Sequence, residues 1–252
     1  ATPEQCAGLD LSCWQAAVNA GEPIHTATME HFEQGFAPYG FQHRSWAPAY
    51  GLSEATGLVS LKPTTRLPVT ITLSVPELRS NRYRLVADDE SQVRRLVGCG
   101  PVTAEMRAVI VDPNSATQAA PGMVGEIWLS GPGVAQGYWG RPDATEQTFG
   151  AFLADTGEGP FLRTGDLGFI DRDELYITGR LKDMIILQGR NHYPQDIEAA
   201  LLDCHLALRP GGGAAFSITV DNAERLVILH ELKTSTLAEA DAGPIIQSIR
   251  RA

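Results

Sequence analysis

Cationic excess is the first thing this 252-residue sequence lacks. Lys and Arg number 20 against 30 Asp and Glu, a formal charge of -10 at pH 7. That balance excludes a general polyanion binder, because contacts along a nucleic acid need clustered Lys and Arg. Long apolar runs are missing too, and none approaches the roughly 20 residues of a spanning helix. The start, Ala1-Thr2-Pro3-Glu4-Gln5, has neither the basic nor the apolar region of a secretion signal. Cysteine is scarce: Cys6, Cys13, Cys99 and Cys204 form no Cys-x-x-Cys pair, and the six histidines are dispersed. No transition metal held by protein ligands is expected. Scattered reduced thiols fit a soluble, cytoplasmic protein. Apolar side chains, by contrast, make up 43% of the chain, enough for an ordinary core, so wholesale disorder is excluded. The length suits one large domain or two smaller ones.

The first 58 residues read as the end of a parallel α/β unit. Trp14 to Val18 forms a short buried strand, and Asn19-Ala20-Gly21-Glu22-Pro23 breaks it. A helix follows with Met29, Phe32 and Phe36 on one face; Gly40 stops it, and Ser45 to Tyr50 resumes extended chain. In such sheets ligands sit at the carboxyl ends of strands, which places loop 19–23 and the loop after Tyr50 where a site is expected.

Beyond residue 58 the period changes. Leu67, Val69, Ile71, Leu73 and Val75 alternate with Pro68, Thr70, Thr72, Ser74 and Pro76, a half-buried strand whose prolines predict a sheet edge. Ala108 to Val111, Glu126 to Leu129 and Leu175 to Thr178 are further strands, and their spacing makes 59–179 read as a small β-barrel or a sandwich. Within it, 61–95 is a basic island carrying Lys62, Arg66, Arg79, Arg82, Arg84, Arg94 and Arg95. Its plain reading is a solvated face; a docking surface is the sharper one. From 183 onward a small α+β unit is expected. Pro194 opens a helix with Ile197 and Leu201 on one face, and Gly211-Gly212-Gly213 reads as a flexible joint. A hairpin follows, turning at Asp221-Asn222, and the final helix from Pro244 stops half-built, as in a piece of a longer protein.

Three segments carry candidate chemistry. Tyr50-Gly51-Leu52-Ser53-Glu54 places a ring, a glycine, a hydroxyl and a carboxylate at one strand end. A ring can stack on a base, a hydroxyl can donate to a phosphate, and a carboxylate can hold a hard cation. Arg163-Thr164-Gly165-Asp166-Leu167-Gly168 reads as a tight glycine turn whose Asp166 can accept both hydroxyls of a ribose diol. Gly179-Arg180-Leu181-Lys182-Asp183, followed by Gly189-Arg190-Asn191-His192-Tyr193-Pro194, is a glycine-bounded charged stretch suited to a hinge. Each alone reads equally well as an ordinary turn.

Taken in order, these segments resemble the adenylate-forming superfamily of acyl-CoA synthetases, luciferases and peptide-synthetase adenylation domains. Gly179 to Asp183 with Gly189 to Glu198 looks most like the fatty acyl-AMP ligases. Val18-Asn19-Ala20-Gly21-Glu22-Pro23 resembles that family's adenine loop, with the usual Gly-Ala order swapped, and Gly131-Pro132-Gly133-Val134-Ala135-Gln136-Gly137-Tyr138-Trp139 is similar to another shared motif. The resemblance runs from about Leu9 to Ala252.

It implies activation of a fatty acid with ATP and Mg2+ to an acyl-adenylate, with pyrophosphate released. The acyl group then passes to the phosphopantetheine thiol of an acyl carrier protein, in a free-standing ligase or the loading module of a polyketide or peptide synthase. By that resemblance Tyr50 stacks on adenine, with Gly51 and Leu52 beside it, and the backbone of Ala20, Gly21 and Glu22 reads the base edge. Ser53 touches the α-phosphate, Glu54 holds magnesium, and Asp166 binds the ribose with Arg180 beside it. Lys182 lies in a hinge at 180–182. The segment 61–95 occupies the position of the insertion that separates acyl-AMP ligases from CoA ligases, and its basic island is expected to face an acidic carrier. Two family parts have no counterpart in the sequence: the Ser/Thr/Gly-rich loop that cradles the outer phosphates and the late lysine that meets the α-phosphate. The 252 residues alone are therefore expected to be inactive. A catalytically silent relative and a fatty acyl-CoA ligase are the competing readings.

Overall fold

The parallel strand–helix–strand unit expected near the N-terminus is present in the computed structural model, which describes residues 2, 4–187, 189–202, 204–220, 223–233 and 242–252. Strand β1 (Ala17–Asn19) runs parallel to β2 (Trp46–Tyr50), with Ala17 opposite Trp46 and Asn19 opposite Pro48. Helix α1 (Thr26–Phe36) connects them, and β3 (Ser60–Leu61) pairs antiparallel with β2. The first strand starts at Ala17 rather than Trp14. The Trp14 ring packs edge-on against Phe32 and Phe41, and its indole N–H donates to the Ala16 carbonyl. Met29, Phe41 and Trp46 form the buried cluster beneath α1. Every residue of β2 is buried, as expected of a parallel strand covered on both faces.

Lys62, just past β3, is 1% exposed. Its ammonium donates to the carbonyls of Arg44 (2.8 Å) and Trp46 (2.7 Å), and its backbone N–H donates to Pro48. A buried cation survives only with such partners, and burial pushes its pKa below the usual lysine range. The lysine thereby ties the start of the 61–95 segment to the root of β2.

In that segment β4 (Thr70–Ser74) pairs antiparallel with β5 (Val93–Val97), with the one-turn helix α2 (Val75–Leu78) following β4. The edge position predicted from the prolines is overturned. On its other side β4 is bound by residues 84–86: Ser74 N–H donates to Arg84 O, Val86 N–H to Thr72 O, and Leu73 bridges Leu85. Thr72, Leu73 and Ser74 are consequently all buried, and the strict alternation ends there. Pro68 precedes the strand, and Pro76 sits in the first turn of α2, where no ladder N–H is needed.

Five strands form the main sheet: β6 (Arg107–Asp112), β7 (Thr117–Gln118), β8 (Gly125–Ser130), β9 (Leu162–Asp171) and β10 (Glu174–Arg180), in the order β10-β9-β8-β6-β7. Helix α3 (Pro142–Phe149) lies in the connection from β8 to β9. The expected barrel is not closed: among the described residues β7 and β10 are the margins of an open sheet. The margin at β10 is bound by the run-on from β5, where Cys99 N–H donates to Leu175 O and Leu175 N–H to Gly100 O. Val59, Cys99, Ile127, Leu129, Leu162 and Leu175 make the core beneath.

Chain compactness separates Ala1–Thr178 from Gly179–Ala252. The second unit holds a short hairpin, β11 (Ile185–Leu187) with β12 (Arg190–His192), and helix α4 (Pro194–Leu201) with Pro194 in its first turn. A long hairpin follows, β13 (Leu208–Val220) with β14 (Ala223–Leu232), and then α5 (Ala242–Arg251). The predicted turn at Asp221-Asn222 lies outside the described residues. Gly211-Gly212-Gly213 is not a joint. It lies inside β13, where the register shifts between Leu208 and Gly213 and Gly211 has φ 70°.

Glu174 generates a test of the sheet margin. It is buried and accepts the Gly100 N–H at 2.9 Å, and desolvation outweighs that bond, so its pKa is raised. A carboxyl raised on folding contributes fully below the usual carboxylate range and loses that contribution as pH rises through its folded pKa. Glu174→Gln keeps an acceptor without the charge. Its melting temperature relative to the parent should therefore climb between about pH 4 and about pH 7. A difference that stays flat across that window overturns the assignment.

Candidate functional site

Strand β2 delivers the first candidate segment. Tyr50 closes the strand, and its hydroxyl donates to Oδ2 of Asp166 at 2.7 Å, across a sequence separation of 116 residues. Both residues are buried, and the Tyr50 ring packs in the cluster of Ala55, Val59, Ile127 and Leu129. The two segments with candidate nucleotide chemistry are thus joined by a direct bond. Loop 20–22 lies at the same end. Asn19 is level with Pro48 in the parallel pair, so Ala20, Gly21 and Glu22 leave β1 beside the point where Tyr50 and Gly51 leave β2. All three are exposed, and Gly21 has φ 87°, a backbone state that other residues rarely adopt.

Asp166 is not in the tight turn that its glycines predicted. It lies within β9, at a bulge. Trp128 faces Arg163 while Glu126 faces Leu167, so β9 carries two extra residues against β8. Gly165, at φ 70°, takes the bend. Side chains hold it: Thr164 donates its hydroxyl to Ile127 O at 2.7 Å and accepts the Asp166 N–H at 3.0 Å. Buried Glu126 accepts the Gly165 N–H at 3.1 Å and pairs with Arg163 at 2.8 Å, whose guanidinium lies over the Trp128 ring. A bulge of this kind re-aims a side chain, here toward Tyr50. The sequence marks Glu126 only as a strand residue; its spacing to the Arg-Thr-Gly-Asp run shows no periodic signal, because the pair is made across strands.

After Tyr50 the chain enters a tight turn. Gly51 is required there, since a Cβ would meet the Gly57 carbonyl oxygen at 1.4 Å. Ser53 is exposed and Glu54 half-buried in the short 3-10 helix Ser53–Ala55, which ends at Thr56 with φ 60°. The segment 131–138 holds this turn at three points: Ala135 N–H donates to Glu54 O at 2.8 Å, the Thr56 hydroxyl donates to Gly133 O, and the Tyr138 hydroxyl donates to Oε1 of Glu54 at 2.7 Å. The bond to Glu54 is the main cause that raises the Tyr138 phenol pKa, which keeps it a donor.

Arg180 and Lys182 belong to the second unit. Arg180 ends β10, and Lys182 lies in the 3-10 helix Leu181–Asp183. The basic island is largely engaged by its surroundings. Arg82 pairs with Glu77, Arg84 with Glu90 and Arg95 with Glu30, while Arg94 donates to Thr178 O and Lys62 is buried. Among the described residues no group of three or more His, Cys, Asp or Glu side chains can hold a metal ion.

Comparison with known proteins gives this geometry a family. Residues 2–139 match the model described as AMP-binding enzyme. The chain is 46% identical over its whole length to the medium-chain-fatty-acid–[acyl-carrier-protein] ligase JamA of Moorena producens, and covers 43% of that protein. It is 38% identical to the long-chain-fatty-acid–AMP ligase FadD32 of Mycolicibacterium smegmatis, with 97% of this chain and 43% of that one covered. The solved fatty acyl-adenylate ligase from L. pneumophila, in complex with acyl adenylate and pyrophosphate, is 37% identical with a TM-score of 0.70, covering 99% of this chain and 43% of that one. The chain spans less than half the length of these relatives. The family match takes in more than half of the chain, which belongs to the AMP-binding enzyme family.

The Tyr50–Asp166 bond can be measured directly. Tyr50→Phe leaves a buried carboxylate short of one donor and should destabilise the protein by about 1–3 kcal/mol. Asp166→Asn should cost less, because the amide oxygen still accepts from the hydroxyl. Urea denaturation of both variants decides it; an equal or smaller loss in Tyr50→Phe contradicts the geometry.

Proposed function

We propose, from membership of the AMP-binding enzyme family, that the protein containing this chain activates a fatty acid as an acyl-adenylate and transfers the acyl group to a carrier-protein thiol. The observation that supports the reading is the 2.7 Å bond between Tyr50 and Asp166, which joins the two candidate segments near the carboxyl end of the parallel pair β1–β2. In the first half-reaction a carboxylate oxygen bonds to the α-phosphorus of ATP, and the bond to pyrophosphate breaks. In the second, the phosphopantetheine sulfur bonds to the acyl carbon and AMP leaves with the electron pair.

Each residue has a place in that scheme. Tyr50, with Gly51 and Leu52, borders the adenine; Ala20, Gly21 and Glu22 present backbone groups to its edge. Asp166 accepts from the ribose, Ser53 donates to the α-phosphate, and Arg180 supplies a cation for the ribose or phosphate. Lys182 is the hinge about which the following residues reorient between half-reactions. Glu54 suits a hard cation that arrives on phosphates, since Mg2+ is commonly held by one or two carboxylates plus substrate oxygens. The lack of a wider carboxylate or histidine cluster among the described residues fits such an ion better than a protein-caged metal. When bound, Mg2+ would offset the charge that gathers as the two anions meet.

The carrier-protein acceptor is favoured by the kinship to JamA and by the folded 61–95 segment that Lys62 anchors. A cytoplasmic setting fits the four free cysteines. No helix among the described residues is long and apolar enough to cross a membrane.

The deciding experiment gives the full-length protein a fatty acid and ATP and follows pyrophosphate, then offers carrier protein or coenzyme A. Pyrophosphate release with transfer to the carrier is expected; absent release sinks the enzyme, and transfer to coenzyme A alone makes it a CoA ligase. The 252 residues by themselves should yield no acyl-AMP in a single turnover. For the basic island, reversing Arg79, Arg82 and Arg84 to Glu should slow acyl transfer several-fold and leave adenylate formation unchanged. Exposed ion pairs hold Arg82 and Arg84 by at most about 1 kcal/mol, so a partner can draw them away. Unaltered transfer kinetics remove the docking role.

A further inference from the structure

The connection from β8 to β9 does more than close a loop. Gly131 and Gly137 both have φ 143°, and a Cβ would meet Glu105 O at 2.6 Å in the first and the Thr145 side chain at 2.3 Å in the second. Those close approaches fold the segment 131–138 over the Ser53–Thr56 turn and back onto α3. Tyr138 stands where the two meet. Its backbone N–H donates to the Thr145 hydroxyl at 2.9 Å, and its ring meets Phe149 edge-on, centroids 5.3 Å apart. Its hydroxyl reaches Oε1 of Glu54 across 84 residues of sequence. The backbone of Glu54 is held from the same side by Ala135.

We propose that Tyr138, braced by α3, is a positioning residue for Glu54: it fixes Oε1 so that Oε2 is presented to the cation that accompanies ATP. The inference rests on the reading of Glu54 as the cation-facing carboxylate. A flexible glutamate spends entropy each time it meets an ion, and a ligand whose second oxygen is already bonded has spent it in advance. Tyr138 is 38% exposed, so its orientation toward Glu54 depends on the Thr145 bond and the edge-on contact with Phe149 rather than on burial. The role assigned to Tyr138 runs through the Glu54 carboxylate alone.

The test titrates Mn2+ into the full-length protein with a non-hydrolysable ATP analogue, read by water-proton relaxation, in the parent, Tyr138→Phe, Glu54→Ala and the double variant. Tyr138→Phe keeps the ring against Phe149 and deletes only the hydroxyl. The Mn2+ dissociation constant should rise about tenfold, the lower end for loss of a partner behind a metal ligand. Glu54→Ala should raise it at least as much, and the double variant should match Glu54→Ala alone. AMP binding without metal should be unchanged in Tyr138→Phe. Two outcomes overturn the proposal: parent-like Mn2+ affinity in Tyr138→Phe, or a Tyr138→Phe effect that persists in full when Glu54 is Ala. Unchanged affinity in Glu54→Ala fails the reading of Glu54 itself, a distinct result. Should Tyr138→Phe not fold, Phe149→Leu carries the same comparison, with a smaller shift in the same direction.

Discussion

A single hydrogen bond between two buried side chains, from the Tyr50 hydroxyl to the Asp166 carboxylate, organises the first unit. It links the end of a parallel strand to the bulge of an antiparallel one, two architectures that share no backbone ladder at that point. A buried carboxylate needs donors. The rest of the neighbourhood meets that need: Thr164 and Glu126 keep the bulge open, Gly165 allows the bend, and the all-buried β2 holds Tyr50 in place. The site is less a set of reactive groups than a junction stiff enough to keep them.

Much of this was legible in the sequence. The parallel unit showed itself through a strand, an amphipathic helix and a second strand, and three main-sheet strands through short apolar runs between turn residues. Local signals failed where pairing was decided at a distance. Nothing in Leu67 to Val75 says that residues 84–86 return to cover its second side, so the prolines read as edge markers. Two glycines beside Asp166 read as a turn because a bulge within a ten-residue strand has the same composition. Gly211 to Gly213 misled in the same way. The candidate site was legible as motifs, while its supports were not: Glu126, Thr164 and Tyr138 act through contacts across strands or from a distant loop, and such contacts leave no period to read.

The basic island shows how composition and structure divide the work. Counted along the chain it is a cluster of cations; in three dimensions most of those cations have carboxylates, carbonyls or a buried pocket of their own. Lys62 is the extreme case, a charge used as an internal tie between the inserted segment and the strand that carries Tyr50. Local charge density therefore overstates what is available to a partner, and the acidic remainder of the chain sets the long-range field.

The separation of 116 residues between Tyr50 and its partner has a consequence for how the molecule is made. At about 5–20 residues per second, a ribosome that has released Tyr50 needs roughly 6–23 s more before Asp166 emerges. For much of that interval β2 has its neighbours from β1 and β3 but not the complete sheet that packs against Tyr50. The nascent chain therefore passes through a stage with an apolar strand uncovered, a period in which holdase chaperones have something to grip and in which slower or faster translation of residues 51–166 would alter yield without altering a single side chain.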